Sequence, residues 1–250
     1  MSRLVASMIV KNEINRYLPL AVEHLLTYVD ESRVLDDGSD DGTYEWLEEK
    51  ERVAVLRNPG PHFFEHEGRA RQNLLEWTLQ GRPNYVLAID ADEFVGNPTA
   101  VKLAVEQQAP VSILTLIEAW KVDLGGISTR VDGLWGPRKC PILYMAPRRT
   151  DRGWSIPDRA LACGREPISV VRASRRAPVI DTNIFHFGWT RLSERQARAE
   201  RYFEHDGGKF HLSRHLQSIL DPDEKVTLRG YPWPEALRSL SKDLIAYSVQ

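Results

Sequence analysis

Cysteine is nearly absent from this 250-residue sequence: Cys140 and Cys163 are the only two. Two cysteines make no disulfide framework, and without a Cys-x-x-Cys pair they do not suggest structural zinc. A reducing compartment is therefore the default. Long apolar runs are missing too. No stretch approaches the roughly 18 apolar residues that a membrane-spanning helix needs. The N-terminal MSRLVASMIVKNE starts apolar but is cut short by Lys11, Asn12 and Glu13, so a signal peptide is not expected. Charge of one sign is also lacking. The formal net charge of −2 gives no global pull toward nucleic acid or membrane. Internal repeats and low-complexity tracts are absent, and the expected location is cytoplasmic.

What is present is an ordinary globular composition, with 42% hydrophobic and 27% charged residues, in a length suited to one large domain with a sizeable core. The charge is unevenly spread. Ten Lys/Arg face three Asp/Glu between Arg138 and Arg176, whereas the segment 30–50 is strongly acidic. The basic stretch reads either as a solvated face or as a surface for an anionic ligand or acceptor.

Periodicity predicts an alternation. LVASMIV (Leu4–Val10) reads as a buried strand, and a helix capped by Asn15 follows, with Leu18, Ala21, Val22, Leu25 and Leu26 on one face. RVLDD is a second strand, GTYEWLEEK a helix capped by Asp41, and RVAVLRN a third strand. GRARQNLLEWTL is a helix, YVLAIDADEF a fourth strand ending in acids, and VSILTLI a fifth. This order predicts a doubly wound α/β sheet, in which ligands bind outside the carboxyl ends of the strands. Asp36/Asp37 and Asp90/Asp92/Glu93 both fall at such ends, so they are expected to converge although more than fifty positions separate them. Beyond Gly125 short strands are expected around ILYMA, ISVVRA and NIFHFGW, then helices from Ser193.

Two acidic clusters carry the chemistry. From VLDDGSDDGT into the helix that follows, Asp37, Ser39, Asp41, Gly42 and Glu48 match positions 1, 3, 5, 6 and 12 of a calcium loop. A strand-like lead-in and the lack of a second copy weigh against it, and a solvated Asp/Gly turn is a further alternative. In AIDADEF, Asp90 and Asp92 would share one side of an extended segment, and three carboxylates there repel unless a cation compensates. Oxygen-rich sites of that kind prefer Mg²⁺ or Mn²⁺, which can bridge a diphosphate.

MIVKNE, DDGSDDGT, GRARQN and the Asp-x-Asp of IDADEF, taken in order, resemble the family 2 glycosyltransferases of GT-A fold. The match covers about residues 3 to 95 and continues more weakly to about 190. The resemblance implies a GT-A, Rossmann-like, mostly parallel sheet flanked by helices over residues 1–190, with a helical C-terminal extension, 191–250, packed on the same domain. It implies a metal-dependent hexosyltransferase that moves sugar from a nucleotide-diphospho-sugar, UDP-sugar favoured, to a hydroxyl acceptor on a glycan, a protein or a modified DNA base. Val10, Asn12, Glu13, Asp36 and Asp37 would hold base and ribose. Arg71 would sit beside the donor, although Arg-Gln-Asn replaces the family's Arg-Asn. Asp90 and Ala91 would line the ribose side, Asp92 would ligate the metal, and His186 would be its partner ligand, which suits Mn²⁺ over Mg²⁺.

Asp158 in WSIPDRA is the candidate catalytic base, with Asp132 and Asp151 behind it; a retaining enzyme would need none. Trp135 and Trp154 are candidates for stacking on a sugar or base. His211 and His215, one helical turn apart, suit a polar helix face better than zinc, and His62 and His66 flank a loop. Two other classes stand beside this reading: a nucleotidyltransferase on a similar sheet, and a non-enzymatic calcium-binding module.

Overall fold

The computed structural model describes residues 2–60, 62–132, 135–147, 154–158, 164–205 and 214–249. They form two compact units: one of residues 1–91, 98–114 and 139–182, the other of 92–97, 115–138 and 183–250. The division falls between Ala91 and Asp92.

The first unit is the expected α/β layer. Strands β1 (Leu4–Val10), β2 (Glu31–Asp36), β3 (Val53–Arg57) and β4 (Tyr85–Ala88) run parallel, with β1 between β2 and β4. Strand β8 (Arg138–Met145) adds antiparallel to β4. β1 is buried at every residue except Ile9, as a central strand covered on both faces must be. Full burial of side chains such as Val5 and Met8 stabilises by roughly 1.5–3 kcal/mol each. Register fixes the functional edge: Val10 pairs with Asp36, and Ser7 with Ala88. The ends of β1, β2 and β4 therefore share one edge.

Helices α1 (Leu18–Leu25), α2 (Thr43–Glu48), α3 (Glu67–Gln80) and α4 (Pro98–Glu106) belong to this unit. Asn15 does not cap α1, whose N-cap is Tyr17, because Pro19 sets the first turn. Asp41 is not the N-cap of α2 either: that position is Gly42, left-handed at φ 93°, and Asp41 stands one residue earlier, its Oδ1 accepting from the Thr43 backbone N–H at 3.0 Å and the Thr43 hydroxyl at 2.6 Å. ISVVRA, expected as a strand for its β-branched residues, is the short helix α5 (Ile168–Ala173). Pro167 stands at its N-cap, where a missing N–H costs nothing, and only Val170 is buried.

The second unit holds β5 (Glu93–Val95), most of β6 (Val111–Asp123), β7 (Gly126–Arg130), the end of β9 (Val179–His186) and β10 (Leu228–Tyr231). β5 pairs antiparallel with β9, β6 with β7, and β7 with β10, and β9 also pairs with β6. Helices α6 (Leu192–His205), α7 (Arg214–Gln217) and α8 (Ser241–Val249) make the C-terminal part mainly helical, with β10 as an unforeseen strand. Trp120, Trp135, Trp189 and Ile219 form a buried cluster, in which the three indoles meet edge to face at 5.3 and 5.6 Å. Trp135 is thus core rather than a stacking platform. Among the described residues, no helix is long and apolar enough to cross a membrane.

Candidate active site

The first acidic cluster is a buried turn that knits the strand edge together. Asp36 ends β2 with no solvent exposure, and its Oδ1 accepts from the backbone N–H of Gly38 (3.2 Å) and Ser39 (3.1 Å). Its Oδ2 is buried with no hydrogen-bond partner among the described residues. Asp37 reaches the following loop instead. Its Oδ1 accepts from Asn58 Nδ2 at 2.6 Å, and its Oδ2 from the Phe63 backbone N–H at 2.9 Å. His62 Nδ1 lies 3.2 Å from the same Oδ1.

The first motif is bound to the second. Asn12, in a left-handed conformation at φ 56°, donates its backbone N–H to Ser39 Oγ, and its side-chain oxygen accepts from Asp40 N–H. The Glu13 N–H bonds Thr43 Oγ1 at 2.9 Å. Val10 closes the edge by accepting the Asp37 N–H at 2.8 Å. A calcium loop is not formed. A strand rather than a helix precedes the segment, and both Asp37 oxygens and Asp41 Oδ1 already accept N–H or O–H donors.

The Asp-x-Asp segment departs from the extended geometry expected of it. β4 ends at Ala88, and residues 91–92 turn before β5 begins at Glu93. Asp90 and Asp92 consequently take different partners. In the first unit, Asp90 lies 3.2 Å from Arg165 and 3.8 Å from Arg71. Arg71 also bonds Glu67 at 2.8 Å. Burial disfavours its charge, but the Asp90 and Glu67 carboxylates outweigh that and raise its pKa. A small cavity is lined by Ser7, Arg71, Ala88, Tyr144 and Arg165.

Asp92 belongs to the second unit, where it faces His186. Strand pairing of Glu93 with His186, and a 2.8 Å bond from the Phe187 N–H to the Asp92 carbonyl, fix the two backbones side by side. His186 Nε2 lies 3.2 Å from Asp92 Oδ2, and Arg198 lies 3.4 Å from the same oxygen. On the other side of the ring, Nδ1 donates to Glu118 Oε2, which also accepts Trp189 Nε1–H at 2.7 Å, while Arg138 pairs with Oε1. Burial opposes a charged imidazole, yet Asp92 and Glu118 prevail and raise the His186 pKa to about 10. Burial likewise pushes Glu118 upward, but His186, Arg138 and Trp189 bring it down to about 2. Among the described residues, no group of three or more His, Cys, Asp or Glu side chains is arranged to hold a metal.

The base candidates separate. Asp158 is exposed and stands 3.2 Å from His66 Nδ1, too poorly aligned for a hydrogen bond, and 3.7 Å from Arg69. Gln72, the residue that interrupts the Arg-Asn pattern, accepts the Ile156 N–H at 2.8 Å and so holds the 154–158 segment against α3. Asp132 is locked by Arg130 Nε, 2.8 Å from each oxygen, and by the Thr227 N–H. Burial acts against its charge, but these donors outweigh it and lower its pKa, which makes it a poor base. Asp151 and His211 lie outside the described residues, as does the His215 side chain. Trp154 lies 6.0 Å from the Tyr144 ring. Arg165, Glu118 and Arg198 enter these clusters without having been singled out from sequence.

Residues 6–108 match the family model described as glycosyl transferase family 2. Among solved structures, S. aureus TarS 1-349 is similar with a TM-score of 0.50 and 18% identity, over 87% of this chain and 69% of that one. A mycobacterial protein shows a TM-score of 0.42 and 16% identity, over 92% of this chain and 84% of the other. No curated protein matches the sequence. The parallel strands β1, β2 and β4 and the fold shared with TarS agree with a GT-A-like α/β fold, and within it residues 6–108 are similar to family 2 glycosyl transferases.

Proposed function

We propose that the protein is a metal-dependent hexosyltransferase that moves a sugar from a nucleotide-diphospho-sugar, UDP-sugar favoured, to a hydroxyl acceptor. The observation that carries the reading is the convergence of Asp92 Oδ2 and His186 Nε2 on one small space. A Cβ built on Gly188 would lie 2.5 Å from the former and 2.7 Å from the latter, with Arg198 Nη2 also 2.7 Å away. One carboxylate oxygen and one imidazole nitrogen are donors that Mn²⁺ accepts, and Mg²⁺ less readily. Two protein ligands leave the remaining coordination to diphosphate oxygens and water, a division common where a divalent ion is held together with its phosphate substrate. The donor set therefore fits the ion. When bound, it would supply positive charge against the diphosphate leaving group.

The chain's own residues do the rest. Val10, Asn12, Glu13, Asp36 and Asp37 form the wall that takes the nucleoside, and Asp36 Oδ2, buried and without a hydrogen-bond partner among the described residues, has acceptor capacity left for that edge. Asp90 and Ala91, with Arg71 beside them, line the donor. Asp158, exposed and next to His66, is the group we assign to remove the acceptor proton in an inverting transfer. An anionic acceptor is favoured by the exposed Arg172, Arg175 and Arg176 of the basic segment. We place the reaction in the cytoplasm.

Incubation with UDP-, GDP- and dTDP-sugars, with Mn²⁺ or with a chelator, tests the reading without an acceptor. Metal-dependent release of a nucleoside diphosphate is the expected product of slow donor hydrolysis. Release of pyrophosphate would instead mark nucleotidyl transfer, and turnover unaffected by chelator would remove the metal.

A further inference from the structure

Glu118 is a carboxylate at the end of an apolar run in β6, its side chain 8% exposed. A buried charge in such a strand is costly unless every lone pair is used. Here both oxygens are: Oε1 pairs with Arg138, and Oε2 accepts both His186 Nδ1–H and Trp189 Nε1–H. The Trp189 ring also stands edge-on to the imidazole at 5.8 Å, which limits its rotation.

A neutral imidazole has one lone pair, and the hydrogen bond made by one nitrogen decides that the other carries it. We propose that Glu118 is the positioning residue for the donor-metal ligand. By accepting the Nδ1 proton of His186, it keeps that proton in place and presents Nε2 beside Asp92. Arg138 and Trp189 fix the Glu118 carboxylate in turn, so the ring is oriented from three directions. The inference rests on His186 being a metal ligand, as set out above. Glutamine cannot replace Glu118, because its amide nitrogen would confront an N–H or guanidinium donor at one of the two oxygen positions. Loss of such an outer partner characteristically weakens metal binding about 10–100-fold.

Mn²⁺ binding in the presence of UDP, read from the free-ion electron paramagnetic resonance signal, tests this on four proteins. The wild type is expected to bind, and Asp92→Ala and His186→Ala to lose binding. Glu118→Gln is expected to bind about 10–100-fold more weakly while keeping wild-type affinity for UDP without metal. Wild-type Mn²⁺ affinity in Glu118→Gln, with His186→Ala defective, overturns the positioning role and leaves the ligand assignment intact. Wild-type affinity in His186→Ala overturns the assignment, and the role of Glu118 with it. A measurement on the unmodified protein guards against variants that fail to fold. In the Mg²⁺·UDP complex, ¹⁵N shifts of His186 should show a protonated Nδ1 and an unprotonated Nε2, and the opposite tautomer contradicts the proposal.

Discussion

Gly188 faces Asp92 across a gap that one methyl group would close: a Cβ there would stand 2.5 Å from Asp92 Oδ2 and 2.7 Å from Arg198 Nη2. No left-handed backbone torsion marks this glycine, so the constraint is space rather than conformation. Gly188→Ala is expected to displace Asp92 or His186, destabilise the fold by about 1–3 kcal/mol, and raise the Mn²⁺ concentration needed for half-maximal turnover. Titrating donor hydrolysis against Mn²⁺ checks it; an unchanged curve would show that the cradle is not the metal site.

Asp132 and Asp158, both candidates for the base from sequence, should separate by experiment. Asp132→Asn is expected to keep kcat but lose about 1.5–3 kcal/mol at neutral pH, the usual range for hydrogen bonds to a charged group. The folded state lowers the Asp132 pKa below its ordinary 3.8. Its contribution is therefore complete above that value and fades as pH falls through the lower folded value. Thermal unfolding of wild type and variant should differ most near pH 7 and converge in acid, once the pH has fallen below the lowered folded-state value. A gap that widens in acid would contradict the assignment.

Asp158→Asn should behave in the opposite way. Its carboxylate is exposed and its partners, His66 and Arg69, are on the surface of α3 or at its start, so stability should change little. Turnover with acceptor should fall about 10²–10⁴-fold, the range for a lost general base, with KM for the donor unchanged. Acceptor-free hydrolysis and full transfer, measured side by side, distinguish a base from a structural residue. Full transfer activity in the variant would remove Asp158 from the chemistry.

The strand edge was readable because its signals are local. The apolar β1, the Asp/Gly turn after β2 and the helical period of α3 each declare themselves within a dozen residues, and the order of the elements then dictates a parallel sheet. IDADEF misled because alternation cannot reveal the turn at 91–92, which sends Asp90 toward Arg71 and Arg165 and Asp92 toward His186. ISVVRA has strand propensity, but Pro167 and a largely exposed surface let it coil into a helix. Arg165 sits in an irregular stretch with no period to mark it. Glu118 did leave a signal, an acid inside the apolar VSILTLIEAW, and a buried acid always requires partners. Those partners are 20 to 71 positions away in the chain, beyond the reach of spacing arguments.

The central claim is that Asp92 holds the metal on which sugar transfer depends. The most direct test is the rate of UDP release from a UDP-sugar by Asp92→Ala at saturating donor and Mn²⁺, with folding verified by its thermal transition. The account predicts a cooperative transition and a loss of turnover of at least about a hundredfold, the scale on which removal of a key charge-stabilising group acts. A folded Asp92→Ala protein that releases UDP at the wild-type rate would contradict it.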